Sequence, residues 1–213
     1  MSTDFSFSDR EASSRCVLYI SNVEGFNQWV YSTIEPYILT PALELASGGG
    51  SLTAIFAERG IRIRLSDKNK ANRDLLRTRF KGIETIRDIY NIDFCHPDFA
   101  SRYSAAFGEF GTLIALNVLE SGFFDKQALK NARYFLRLRG RLILFTPVIT
   151  SMLYGSEDDP AEWDRYNGRS LQDLVKGGFE VIVTRYVNLA IGTAKQPDIP
   201  LGLSALVVAR RIS

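Results

Sequence analysis

Apolar positions along the chain follow two periods, and their order predicts the elements. Phe26, Trp29, Val30, Ile34 and Ile38 fall near helical spacing, so an amphipathic helix over 22–38 precedes the first strand, with Pro36 near its end. A short apolar run through Leu43 and Leu45 stops at a cluster of glycines; a helical pattern follows, and a second apolar run ends at Asp67. Residues 69–80 read as a charged helix with Leu75, Leu76 and Phe80 on its inner side, and residues 83–94 alternate as a strand that ends in acid. Residues 112–119 are continuously apolar, as in a strand covered on both faces. A helix over 126–138, with Arg139-Gly140 as its C-cap, leads to a buried strand over 141–147. After a short helix from Ser170 to Val175, ended by Gly177-Gly178, residues 179–188 and 201–210 read as two successive strands. Two strands closing an alternating β-α chain predict an antiparallel hairpin at the end of a mostly parallel sheet.

The stretch from Pro41 to Asp67 is the start of a β-α-β nucleotide-binding unit. Its glycines permit a tight turn and bring backbone N–H groups at a helix N-terminus close to a ligand. Asp67, at the tip of the second strand, is placed to take both hydroxyls of a ribose. The dinucleotide fingerprint needs a third small residue for close helix packing, and counting from Gly48 and Gly50 that position is Thr53, so the fingerprint fails.

The stretch resembles motif I of the class I S-adenosylmethionine (SAM)-dependent methyltransferases, an acidic residue followed by x-G-x-G-x-G. Glu44 supplies the acid, and Ala46, Gly48 and Gly50 fall at the glycine positions, the first a departure. Residues 112–120 resemble the family's fourth motif, with Asn117, Val118, Leu119 and Glu120 aligned. Gly111 stands where aspartate is usual, and Ser121 stands for histidine. Phe26 to Ile38 is similar to the family's lead-in helix, which makes Asn27 and Trp29 pocket candidates. Residues 148–168 resemble an acceptor-side segment through Tyr154, Asp158, Arg165, Tyr166, Ser170 and Leu171, with Glu162 at the family's histidine and Asp164 at its first arginine.

The resemblance covers about residues 22–210 and is closest to small-molecule members of the methyltransferase type 11/12 kind. It implies an α/β, Rossmann-like fold: a seven-stranded, mostly parallel sheet with an antiparallel C-terminal hairpin and helices on both faces. Residues 1–21 are then a tail or lid, and 22–213 a single methyltransferase domain with an acceptor-side insertion at 148–168. SAM is the implied cofactor and S-adenosylhomocysteine its product. Glu44, Ala46, Ser47, Gly48, Gly50, Asp67, Lys68, Asp93, Phe94, Asn117 and Val118 are the implied cofactor-binding residues. Asp93 takes the adenine amino group and Phe94 packs on the ring. Trp29, Tyr154, Trp163 and Arg165 are candidates for the acceptor. Alternatives are a SAM-binding protein that no longer transfers methyl, and a nicotinamide-dependent oxidoreductase, which Thr53 and the terminal hairpin disfavour.

Composition narrows the function further. A chain of 213 residues with 46% hydrophobic and 23% charged content forms one domain with a sizeable core. A net charge of +2 argues against a dedicated nucleic-acid binder, and the basic residues at 68–81 read as a solvated helix face. Arg133, Arg137, Arg139 and Arg141 can be read as a phosphate patch, but the first two fall on a helix exterior, and cations near a helix C-terminus favour its dipole. Cys16 and Cys95 are too few for a disulfide framework, and neither a signal peptide nor a membrane-length apolar run is evident. The expected setting is cytoplasmic, with a small-molecule acceptor as partner, no nucleic acid, no membrane, and a homodimer left open. Methyl transfer from a sulfonium is an in-line displacement in which positioning does most of the work. Amines and phenols need little base, an aliphatic hydroxyl needs one, and Glu120, Glu162 and Tyr166 are the candidates. No His/Cys/carboxylate spacing suggests a metal.

Overall fold

The computed structural model describes residues 25–116, 126–147, 172, 175, 177–187 and 204–213. The strands β1 (Ala42–Leu45), β2 (Ile63–Ser66), β3 (Ile86–Tyr90), β4 (Phe110–Leu116), β5 (Leu136–Pro147), β6 (Phe179–Val187) and β7 (Ser204–Arg211) form one seven-stranded sheet in the order β3-β2-β1-β4-β5-β7-β6. β1 to β5 pair in parallel, while β7 lies antiparallel between β5 and β6. The expected terminal hairpin is therefore present.

Helices α1 (Phe26–Ile34), α2 (Ser51–Glu58), α3 (Lys70–Arg79), α4 (Phe99–Tyr103) and α5 (Lys126–Phe135) cover the two faces. Alternation along the strands divides the core. Leu43 and Leu45 of β1 pack with Phe99 of α4 and Phe135 of α5, whereas Ala42 packs with Val30 and Ile34 of α1, Phe56 of α2 and Leu76 of α3. The first half is an aromatic cluster, with ring centroids of Phe94 and Phe99 5.4 and 5.2 Å from Phe135. In the second, Tyr31 meets the edge of Phe56 at 5.5 Å.

Gly111 has a packing reason. It lies within β4, donating its N–H to the Pro41 carbonyl at 2.8 Å, and a Cβ there would sit 2.8 Å from the carbonyl carbon of Leu39. Leu39 is pinned in turn by Thr112, whose buried hydroxyl accepts its N–H at 2.7 Å and donates to its carbonyl at 3.0 Å.

Two boundaries differ from expectation. The helix predicted to reach residue 138 ends at Phe135, because Leu136 already pairs with Phe110 of β4, and Arg211 donates to the carbonyls of Arg133 and Leu136 that the helix end leaves open. Arg139 is therefore not a C-cap. The strand predicted over 83–94 is confined to Ile86–Tyr90: turns close before it, from Ile83 to Phe80 and from Ile86 to Ile83, and the carboxylate of Asp93 organises a turn after it.

Candidate functional site

The loops at the C-terminal ends of β1, β2 and β3 meet at one edge of the sheet, where ligands bind in open α/β folds. After β1 the chain must reverse into α2 within Ala46 to Gly50. It does so by left-handed turns at Ala46 (φ 51), Gly48 (φ 54) and Gly50 (φ 74). Gly50 is irreplaceable on two grounds, since an added Cβ would also lie 2.6 Å from Phe80 and 2.8 Å from Leu76. Nothing lies within 4 Å of a Cβ built at Gly49, so the loop faces open space there. Ala46 is exposed and takes the same left-handed conformation without glycine's freedom, at a cost of about 1 kcal/mol.

Asp67 fastens this loop. The N–H of Gly48 donates to its Oδ2 at 2.9 Å, the N–H of Asn69 to its Oδ1 at 2.8 Å, and the Asn72 amide to its Oδ2 at 3.0 Å. Arg73 closes the same corner by donating to the carbonyls of Asp67 and Lys68 at 2.9 and 2.8 Å, and Arg79 holds the Gly49 carbonyl at 2.5 Å. Lys68 itself is exposed. A carboxylate has about four lone-pair positions, so Asp67 keeps acceptor capacity on Oδ1 for a hydroxyl.

Glu44 is turned away from the loop surface. It is 5% exposed, and the hydroxyl of Thr53, buried in α2, donates to its Oε2 at 2.5 Å. Ser66 donates to its backbone carbonyl at 3.0 Å, and Ser47 to the same carbonyl at 3.4 Å. Burial pushes the Glu44 carboxyl up to about 7, against the opposing effect of the hydrogen bonds from Thr53 and Ser47. Thr53, the residue that breaks the dinucleotide fingerprint, is thus the partner of the motif's acid.

Beyond β3, the Asp93 carboxylate accepts the Cys95 N–H at 3.0 Å, and the Tyr103 hydroxyl bridges the loop from the Asp93 N–H to the Asn91 carbonyl, 3.3 Å from each. Phe94 turns its ring into the aromatic core and is 6% exposed. Its carbonyl is held at 2.7 Å by the buried amide of Asn131 on α5. His96, the one histidine in the chain, lies in this loop and accepts the Asp98 N–H at 3.1 Å. Asp98 occupies the N-cap position of α4 without a side-chain cap bond. Trp29 of α1 is half-buried, its ring 6.1 Å from Phe26 and 6.2 Å from Phe145 near the C-terminal end of β5.

The structure therefore brings Glu44, Ala46, Ser47, Gly48, Gly50, Asp67 and Lys68 together, with Asp93 and Phe94 on the next loop. Asn117, Val118, Glu120, Tyr154, Glu162, Trp163, Arg165 and Tyr166 lie outside the described residues, as do the tail and the insertion at 148–168. Sequence reasoning missed Thr53, Asn72, Arg73, Arg79 and Asn131. Asn72 and Arg73 lie in the first turn of α3, just past the Asp67 tip, and could have been found from that placement; Asn131 carried no local signal. Among the described residues no group of three or more His, Cys, Asp and Glu could hold a metal ion, and no helix is long and apolar enough to cross a membrane. A shallow depression lined by Gly82, Ile83, Glu84, Ile86 and Arg87 lies at the start of β3, away from these loops.

Strand order, terminal hairpin and glycine loop together define the class I methyltransferase fold. Solved structures of that fold match the chain: the CurJ carbon methyltransferase, at 16% identity and a TM-score of 0.63, over 97% of this chain and 60% of that one, and the glycopeptide N-methyltransferase MtfA complexed with sinefungin, at 16% identity and a TM-score of 0.63, over 88% and 87%. The [4+2]-cyclase SpnF matches at 14% identity and a TM-score of 0.65, over 88% and 81%. The chain thus spans about three-fifths of the CurJ structure's length. No protein-family model matches the sequence, and no curated protein is similar to it.

Proposed function

We propose that the protein is a SAM-dependent methyltransferase acting on an O or N atom of a small molecule, in the setting of specialised-metabolite biosynthesis. The observation that carries this reading is the Ala46–Gly50 loop tied by its Gly48 N–H to the Asp67 carboxylate at 2.9 Å. Such a corner offers backbone donors at a helix N-terminus beside an acceptor for a ribose, which suits an adenosyl ligand. SAM supplies an electrophilic methyl group on a sulfonium. Ala46, Ser47, Gly48 and Gly50 frame the amino-acid end, with Glu44 supporting the loop from beneath, while Asp67 and Lys68 serve the ribose and Asp93 the adenine amino group. With its ring in the core, Phe94 is assigned to holding the Asp93 loop in place. Asn117 and Val118 complete the cofactor side, Trp29, Tyr154, Trp163 and Arg165 the acceptor side, and Glu120, Glu162 or Tyr166 serves as base where the acceptor needs one.

Parallel calorimetric titrations with SAM, S-adenosylhomocysteine and NADH test the reading. Binding of the two sulfur ligands and not of NADH is expected, with Asp67→Ala weakening SAM about tenfold or more through loss of charge-assisted hydrogen bonds. Unchanged affinity in a folded Asp67→Ala protein removes the ribose role. The second reading, SAM binding without methyl transfer, rests on the departures from the family pattern at Ala46, Ser121 and Glu162; Gly111 also departs from it, but the contact with Leu39 gives that glycine a reason in packing. Formation of S-adenosylhomocysteine with any acceptor eliminates this alternative.

A further inference from the structure

The arginines between α5 and β5 have no part in the cofactor corner, and the fold gathers more of them than the sequence suggested. Between the pairs Phe110–Leu136 and Thr112–Arg141, β4 contributes Gly111 alone while β5 contributes residues 137–140, which bulge from the ladder. Arg137, Leu138 and Arg139 are all exposed, Leu138 by 63%. Arg139 holds a left-handed φ of 64, a conformation that glycine takes freely and arginine does not. Ile212, 56% exposed, lies at the same end of the sheet, because β7 runs antiparallel to β5 with Arg210 opposite Arg141, and Arg211 reaches the Leu136 carbonyl.

Arginines dominate the described residues at this end, and Arg211 also donates from its Nε to the Ser213 backbone oxygen at 2.8 Å. Arg211 donates to the Arg133 carbonyl at 2.9 Å, and Arg133 reaches the Gly177 carbonyl and the Ser213 hydroxyl at 3.4 and 3.3 Å. The Nε of Arg133 is buried without a partner among the described residues. Burial first, and the charge of Arg133 second, hold the Arg211 guanidinium below its ordinary value. Arg137 and Arg139 have no polar partner among the described residues. The acids on adjoining elements are engaged elsewhere: Glu109 with Arg64, Glu180 with Arg210 at 2.5 Å, and Glu35 with the Tyr31 hydroxyl at 2.8 Å.

We propose that the Arg137–Arg139 turn, with Arg133, Arg211 and Ile212 beside it, is a docking surface for an acidic segment of a partner protein that carries an apolar side chain. Carboxylates answer the Arg137 and Arg139 guanidiniums, which have no polar partner among the described residues, and an aliphatic anchor covers Leu138 and Ile212. The exposed large apolar side chains described at this end, Leu138 and Ile212, are aliphatic, and the half-buried Tyr134 has one face stacked on Phe107, which favours an aliphatic anchor over a run of stacked bases. The surface lies at the opposite end of β5 from Pro147, so an occupant leaves the glycine loop open. The inference is independent of the cofactor.

Fluorescence anisotropy with the full chain and a labelled glutamate-rich peptide bearing one central leucine tests it. The expected results are saturable binding that weakens with salt, a loss of about tenfold or more in the Arg137→Glu, Arg139→Glu double variant, and a smaller loss in Leu138→Ser. These side chains are exposed, so the variants should keep the parent circular-dichroism melt. Absence of peptide binding, equal affinity in the folded double variant, or tighter binding of single-stranded RNA or anionic vesicles to the same turn overturns the proposal.

Discussion

At the scale of single residues, Glu44 shows how a motif can be legible while its chemistry is not. The acid and its spacing to the glycines are plain in the sequence. That its carboxyl points into the core, onto Thr53, follows from strand alternation only once the covering helix is known. The consequence is a stability signature. Glu44 ionises near its ordinary value of 4.5 in the unfolded chain and near 7 when folded, so the folded state binds the extra proton between those values. Its contribution is neutral below pH 4.5, turns unfavourable as pH rises through that window, and is fully unfavourable above about 7. The size is about 3 kcal/mol. Glu44→Gln, which still accepts from Thr53, should match the parent protein in acid and exceed it in stability by roughly that amount at pH 8 in urea unfolding. Parallel profiles for the two proteins across pH 5 to 8 would contradict the buried-acid assignment.

At the scale of elements, the sheet edge of the site was readable because each strand there ends in a turn former or an acid. Boundaries were misplaced where a side chain decides them, a distant one in Arg211 at the end of α5 and a local one in Asp93, whose turn follows β3. Gly111 is the sharpest case. Against the resembled family it looks like a lost aspartate, yet Leu39 occupies the space a side chain would need. Restoring the usual residue should therefore harm the protein: Gly111→Asp is expected to lose more than about 3 kcal/mol through overpacking and an unpaired buried carboxylate, and Gly111→Ala somewhat less. A thermal melt of Gly111→Asp that superimposes on the parent would show that the strand has room after all.

At the scale of the whole molecule, order of elements carried the fold, since alternating strands and helices followed by two strands admit few topologies. The division of labour is the corresponding functional expectation: cofactor groups come from the first half of the sheet, acceptor groups from residues 148–168. Tyr154→Phe and Tyr166→Phe should change acceptor turnover while SAM affinity stays within about twofold. A large loss of SAM affinity in either folded variant would merge the two halves into one site. The arginine cluster was legible in part: Arg133, Arg137, Arg139 and Arg141 lie close in the sequence, whereas Arg211 joins them only through the antiparallel pairing of β7.

That pairing also sets a timetable. β7 leaves the ribosome after the other six described strands, yet it is inserted between β5 and β6, and those two strands make no ladder with each other. During synthesis the nascent chain can close β1 to β5 into a parallel half-sheet, but β6 waits without a partner and the apolar flank of β5 stays bare until residues 204–211 emerge. Insertion of β7 is therefore a late step in forming this sheet, and a nascent chain lacking residues 204–211 would display an open β5 edge to chaperones.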